Sequence, residues 1–204
     1  MSLRRLAVVS SGLRQPSSTR MLADRLSAAT EEALTERRFE VQTAVIELRD
    51  HARDLTDYLL DGTSTESLQS AFDAVVFSHG VVAATPVFSA SYTGMFKNFF
   101  DSLPSDSLRG KPVLIGATAG TARHSLALEH AVRPLFTYLR AMVVPTSVFA
   151  TSGDWGAPEG ADQGLAGRIA RAGSELADLM IAYSIPGPPE PHDAVIPHQR
   201  RRDR

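Results

Sequence analysis

At 204 residues, with 43% hydrophobic and 22% charged side chains, the chain is long enough for one domain with a large core and has a globular balance. Its formal net charge of −2 speaks against a general nucleic-acid binder and against an electron carrier that steers partners by a strong negative field. Cysteine is absent, which excludes disulfides, thiolate metal sites, iron–sulfur clusters and a cysteine nucleophile; no metal site is expected.

The apolar run after Arg4-Arg5 is too short for an export signal, and no stretch approaches the roughly 20 apolar residues that cross a bilayer, so a cytoplasmic protein is expected. Leu6 to Ser10 is a short apolar run ending in a Ser/Gly cluster and reads as a buried strand. From Thr19, Met21, Leu22, Leu26, Ala29, Ala33 and Leu34 recur at helical spacing. Val41 to Glu47 alternates like a strand near a sheet edge, completing a βαβ unit. Ala74 to Ser78 and Val81 to Thr85 both suit a strand. The second is preferred, because Leu68, Ala71, Phe72, Val75 and Val76 form one helical face and Ser78-His79-Gly80 stops it. Thr93 to Leu103 then reads as a helix, Pro112 to Ala117 as a buried strand and Ser125 to Leu139 as a helix. Met142 to Val144 with Ser147 to Ala150 makes a broken last strand, and Gly164 to Tyr183 a final helix. This alternation predicts one α/β domain over residues 1–184 with a doubly wound, five-stranded parallel sheet. Residues 185–204, rich in proline and arginine, are expected to be a disordered tail.

In such a sheet, ligands bind outside the carboxyl ends of the strands, which directs attention to three loops. The first, Ser10 to Arg20, has neither the G-x-G-x-x-G of a Rossmann turn nor the Gly-Lys-Ser/Thr of a P-loop. It is a hydroxyl-rich turn entering a helix N-terminus, where free N–H groups and the helix dipole attract phosphate. Ser11, Leu13, Arg14, Ser17, Ser18 and Thr19 are the candidates; the plainer alternative is that Ser17 or Ser18 only caps the helix. The second loop, Thr85-Pro86-Val87-Phe88-Ser89, places a stiff, partly apolar turn after a strand, suited to a flat heteroaromatic ring lying on Val87 and Phe88. Alternatively, Phe88 or Tyr92 merely covers a helix end. The third, Thr118-Ala119-Gly120-Thr121-Ala122-Arg123-His124, is small and glycine-containing, so its backbone N–H groups can approach a ring edge. Arg123 and His124 are tentative candidates to sit beside charge developing there.

Here the chain resembles the NADPH-dependent FMN reductases, flavodoxin-like enzymes that supply reduced flavin to monooxygenases. Gly12, Arg14, Ser17 and Thr19 match the family's Gly-Ser-x-Arg-x-x-Ser-x-Thr/Asn signature, although Ser11-Gly12 reverses its first pair. Thr85-Pro86-Val87-Phe88, Ser91-Tyr92, Gly94 and Lys97-Asn98 are similar to Thr-Pro-x-Tyr-x-x-Ser-Tyr-x-Gly-x-x-Lys-Asn, with Phe88 in the tyrosine place. The resemblance runs from about residue 5 to 182. It implies FMN as cofactor, NADPH or NADH as hydride donor, and a homodimer or homotetramer in which Asp154-Trp155 or the helix after Gly94 of a neighbour covers the ring. Reduction of FMN for a monooxygenase is the function it implies. The alternatives are a quinone or azo reductase of the same fold, a non-enzymatic flavodoxin-type carrier, and a scaffold whose loops only cap helices.

Overall fold

Runs of β-branched and small apolar residues alternate with amphipathic stretches along the whole chain. β1 (Leu3–Ser10), α1 (Ser18–Glu36) and β2 (Glu40–Glu47) are followed by α2 (Ala52–Asp61), α3 (Glu66–Val76) and β3 (Gly80–Pro86). Next come α4 (Gly94–Ser102), β4 (Pro112–Ala119), α5 (Arg133–Tyr138), β5 (Met142–Val143), β6 (Val148–Thr151) and α6 (Leu165–Ala182). The computed structural model describes residues 2–155 and 164–183. The expected tail over 185–204, and with it the boundary after residue 184, lie outside the described residues.

Every strand pair is parallel, in the order β2-β1-β3-β4-β5, with β6 also on β4. The expected five-stranded sheet is therefore present, its last strand broken so that β5 pairs with the start of β4 and β6 with its end. Between them Arg133 donates to the Val144 and Pro145 carbonyls at 3.1 and 3.2 Å, and Glu175 accepts from Thr146 N and Oγ1 at 2.7 Å each.

Because both faces of a parallel sheet are buried, alternate residues of each strand serve different layers. Ala7, Val9, Val81, Ala83, Val113 and Ile115 pack with α2 to α5, whereas Leu6, Val8, Val82, Ala84 and Leu114 pack with α1 and α6. Phe96, Phe99, Phe100 and Phe136 anchor the first layer, with ring centroids 4.8 to 6.1 Å apart. Such pairs contribute about 1 kcal/mol each beyond area burial. In the second layer glycine sets the spacing. A Cβ on Gly116 would lie 3.0 Å from Leu26 Cδ1 and 3.2 Å from Leu22 Cδ2, and one on Gly173 would lie 2.7 Å from the Ala29 backbone, so α1 sits tight on both β4 and α6.

Two stretches depart from the sequence reading. The stretch expected as one helix from Ser125 to Leu139 is a 3₁₀ turn at Ala122–His124, a π turn at Leu128–Val132 and then α5. Pro134 supplies the reason: it has no N–H to continue the α ladder, and the bond before it runs from Arg133 N to Leu128 O, one residue wider than α. A 3₁₀ turn at Leu48–His51 and α2 also stand where no element is expected.

Candidate functional site

The loops after β1, β3 and β4 leave neighbouring strands at one end of the sheet. Ser11 N donates to Ala84 O at 3.0 Å, which ties the first loop to β3. Val87 N donates to Thr118 O at 2.8 Å, which ties the second loop to β4. The structure thus brings the three predicted loops together.

In the first loop, Gly12 is buried and a Cβ there would stand 2.0 Å from Ser17 Oγ; the loop can fold back on the helix start only because this residue is glycine. Ser17 Oγ accepts from Arg20 N at 3.1 Å and is the N-cap of α1, a contribution of about 1 kcal/mol. Ser11 is fully buried; its hydroxyl accepts from Thr93 Oγ1 at 3.2 Å and faces Ala84 O at 3.5 Å. Thr19, also buried, shares a 2.7 Å hydroxyl–hydroxyl bond with Thr118. Leu13, Arg14 and Ser18 are exposed. Of the predicted hydroxyls, then, Ser18 faces outward while Ser11, Ser17 and Thr19 have partners within the chain. Arg20 is held by Asp24 at 2.7 Å and Glu47 at 2.5 Å, and the Asp24 carboxylate raises its pKa above the ordinary arginine value. Its charge is already balanced before any anion arrives.

Sequence reasoning missed Ser10. It lies on the face of β1 that carries Leu6 and Val8 toward α1, at the strand's carboxyl end, 1% exposed and with no hydrogen-bond partner for its Oγ. A buried hydroxyl without a partner costs about 1–3 kcal/mol. The strand-face parity of Leu6, Val8 and Ser10 was the available signal.

In the second loop Phe88 N donates to Ser91 O at 2.9 Å and Ser91 N to Phe88 O at 3.2 Å. The two residues between, Ser89 and Ala90, have φ of 50° and 68°, a turn geometry that glycine and asparagine favour. Phe88 is 52% exposed. Val87 leans on the α2–α5 core instead of standing beside Phe88, and Tyr92 packs 5.9 Å from Phe96. Exposed ring surface is therefore offered by Phe88, beside the half-buried Pro86 and exposed Ser89.

In the third loop Ala119 is half-buried and residues 120–126 are exposed. A Cβ on Gly120 would meet open space, and Thr121 Oγ1 accepts from Arg123 N at 3.3 Å to start the 3₁₀ turn. The Arg123 and His124 side chains are exposed on that turn. Within the chain Asp154 accepts from Thr151 N and Oγ1, which hold its carboxyl below the usual range, and Trp155 lies under Arg25, whose Cζ is 5.1 Å from the indole centroid. A cleft of about 370 Å³ opens at the opposite end of the sheet, lined by Phe100, Leu103, Asp106, Tyr138 and Arg140. It faces helix C-termini and is remote from the three loops.

Residues 4–156 match the family model of NADPH-dependent FMN reductases. The chain belongs to this family of oxidoreductases. The FMN reductase (NADPH) of Pseudomonas aeruginosa is 33% identical over 175 residues, 86% of this chain and 91% of that one. The NADH-dependent FMN reductase SfnE of Pseudomonas putida is 33% identical over 178 residues, covering 87% and 93%. Among solved structures, an oxidoreductase of Corynebacterium diphtheriae superposes with a TM-score of 0.85 at 49% identity, covering 90% of this chain and all of that one. The apo NADH:FMN oxidoreductase EmoB superposes at 0.71 and 25%, covering 95% of each. A flavodoxin-like WrbA relative at 15% identity shares the fold.

The residues fit FMN, the flavin of this family. Ser10 Oγ is buried without a partner at the carboxyl end of β1, the first turn of α1 keeps N–H donors that Ser17 does not cap, and Gly120 leaves space where a side chain would stand. Among the described residues no cluster suits a metal ion, and no helix is long and apolar enough to cross a membrane.

Proposed function

We propose that this protein carries hydride from NADPH or NADH to FMN in the cytoplasm and delivers the reduced flavin to a monooxygenase. The observation that carries the reading is Ser10 Oγ, a buried hydroxyl without a partner under a glycine-dependent loop that leads into the start of a helix. The N–H groups of Ser18 and Thr19 with Ser10 Oγ would hold the phosphate, and Pro86 and Phe88 would support the ring. Backbone N–H groups of Ala119 to Thr121 would face the ring edge, where negative charge gathers on reduction, with Arg123 beside them. The electron chemistry, acceptance of hydride at the ring, is the flavin's own. What this chain adds is orientation, and a ring face left open for donor and acceptor in turn.

Names of relatives support the reduction step: SfnE and SfnF are NADH-dependent FMN reductases. An apolar rim contributed by Leu13, Phe88 and Leu126, each exposed, supports a homodimer or homotetramer in which a second copy shields the ring, readable by light scattering. The test of the main reading is Phe88→Asp. FMN binding by fluorescence quenching should fall at least about 10-fold, the scale of an aromatic contact replaced by a charge, and NAD(P)H-driven reduction should fall with it. Full-strength binding in a folded Phe88→Asp protein would place the ring elsewhere.

A further inference from the structure

Beneath the three loops lies a layer of buried hydroxyls: Ser10, Ser11, Thr19, Thr85, Thr93 and Thr118, none more than 4% exposed. Most of their bonds join β1, β3 and the start of α4. Thr93 Oγ1 reaches Ser11, and Thr93 N reaches Thr85 Oγ1 at 3.2 Å. One bond runs differently. Thr19, in the first turn of α1, meets Thr118, the penultimate residue of β4, at 2.7 Å across 99 positions of sequence.

Thr118 touches all three loops at once. Its side chain holds the helix start, its carbonyl accepts from Val87 N of the second loop, and the chain beyond it becomes the third loop. Gly116 packs closely against Leu22 and Leu26, which keeps α1 near β4 and the two hydroxyls within bonding range. Either oxygen can be the donor in their bond. That freedom matters, because a threonine hydroxyl has one proton to give and can accept in return. When Thr118 donates, the Thr19 proton is free for an anion at the helix start; when Thr19 donates, it is not.

Resting on the flavin reading above, we propose that Thr19 and Thr118 form a positioning link between the phosphate end and the ring end of the site. A phosphate at the start of α1 draws the Thr19 proton toward itself, and Thr118 turns to donate to Thr19. This fixes the residue from which the second and third loops hang. Coupling of this kind is reciprocal, so an occupied phosphate end makes the ring bind more tightly.

The test separates the two ends by using riboflavin for the ring and inorganic phosphate for the other end, with flavin fluorescence quenching at constant ionic strength. In the wild type, saturating phosphate should tighten riboflavin binding about 3- to 10-fold, the range that one net hydrogen bond spans. In Thr118→Val the riboflavin dissociation constant should be the same with and without phosphate, and Thr118→Ser should restore the wild-type ratio. Thr19→Val should abolish the ratio from the other side, which keeps the test open should Thr118→Val fold poorly. A purely structural role would weaken riboflavin equally in both buffers and leave the ratio unchanged. A folded Thr118→Val protein that keeps the phosphate effect, or a wild type that shows none, overturns the link and leaves the flavin site standing. Wild type that binds neither riboflavin nor FMN overturns the flavin reading as well.

Discussion

The two ends of the sheet close their helices in opposite ways. At the amino end of the strands, long cations reach helix C-termini. Arg4 Nε donates to Met180 O and Arg5 Nε to Phe77 O, each at 3.0 Å, while Lys111 Nζ reaches Val76 O at 3.0 Å and Ser78 O at 2.6 Å. At the carboxyl end, short hydroxyls cap the N-termini. Ser17, Thr65 and Thr93 each accept from one backbone N–H, of Arg20, Leu68 and Phe96. A helix leaves several groups unpaired at each end, with negative charge at its C-terminus and positive at its N-terminus. The amino end is thus neutralised by the chain's own side chains, whereas a single oxygen per helix leaves donors at the other end for an external anion. Chemistry belongs where the capping is incomplete.

That contrast can be broken most severely at Lys111, which is 3% exposed. Lys111→Met leaves two carbonyls without their donor, and the unfolding free energy in urea should fall by about 2–4 kcal/mol while FMN affinity stays the same. Burial, followed by the nearby Arg5 charge, lowers the Lys111 pKa from 10.5 to about 8. Between those values the unfolded chain holds more protons than the folded one. Wild type should therefore gain stability relative to Lys111→Met as pH rises from about 8 to 10.5, by at most about 3 kcal/mol. A difference that does not change across this range would mean that the ammonium is not strained by its burial.

Ser10→Ala tests the opposite end, and two effects should run in opposite directions. Removing an unpartnered buried hydroxyl should stabilise the flavin-free protein by about 1 kcal/mol and weaken FMN about 5- to 10-fold, with riboflavin less affected. Equal weakening of both ligands would detach Ser10 from the phosphate. The smallest effect is expected at the turn in the second loop. Replacing Ser89 by Asn together with Ala90 by Gly should relieve two left-handed residues and raise stability by about 1 kcal/mol. An unchanged melting temperature would show that the turn carries no strain.

Much of the fold was legible because a buried parallel strand and an amphipathic helix have different periods. The choice between Ala74–Ser78 and Val81–Thr85 went correctly to the second, since Leu68, Ala71, Phe72 and Val75 share one buried helical face. The regular helix expected over Ser125–Leu139 is interrupted where Pro134 breaks the ladder, a signal that the sequence itself carries. α2 was also readable, since Leu55 and Tyr58 precede Gly62, whose φ of 78° ends the helix in left-handed backbone. At the site, the loops could be named from their residue types, but the fate of each hydroxyl could not. Whether Ser11 or Thr19 meets a ligand or another side chain depends on Thr93 and Thr118, each more than 80 positions away in sequence. Pairings at that range are set by tertiary packing, which single-sequence patterns do not encode.

The interruption between β5 and β6 has a consequence outside catalysis. An unbroken last strand would present a row of free carbonyls and N–H groups, a template on which any extended chain could add itself. Here Arg133 occupies the Val144 and Pro145 carbonyls, Glu175 takes the Thr146 N–H, and proline itself offers no donor. The opposite border, β2, carries Glu40, Gln42 and Thr43 among its residues, polar groups that discourage stacking. At the β5/β6 border side chains occupy the backbone groups, and at the β2 border polar side chains line the strand; both disfavour edge-to-edge aggregation.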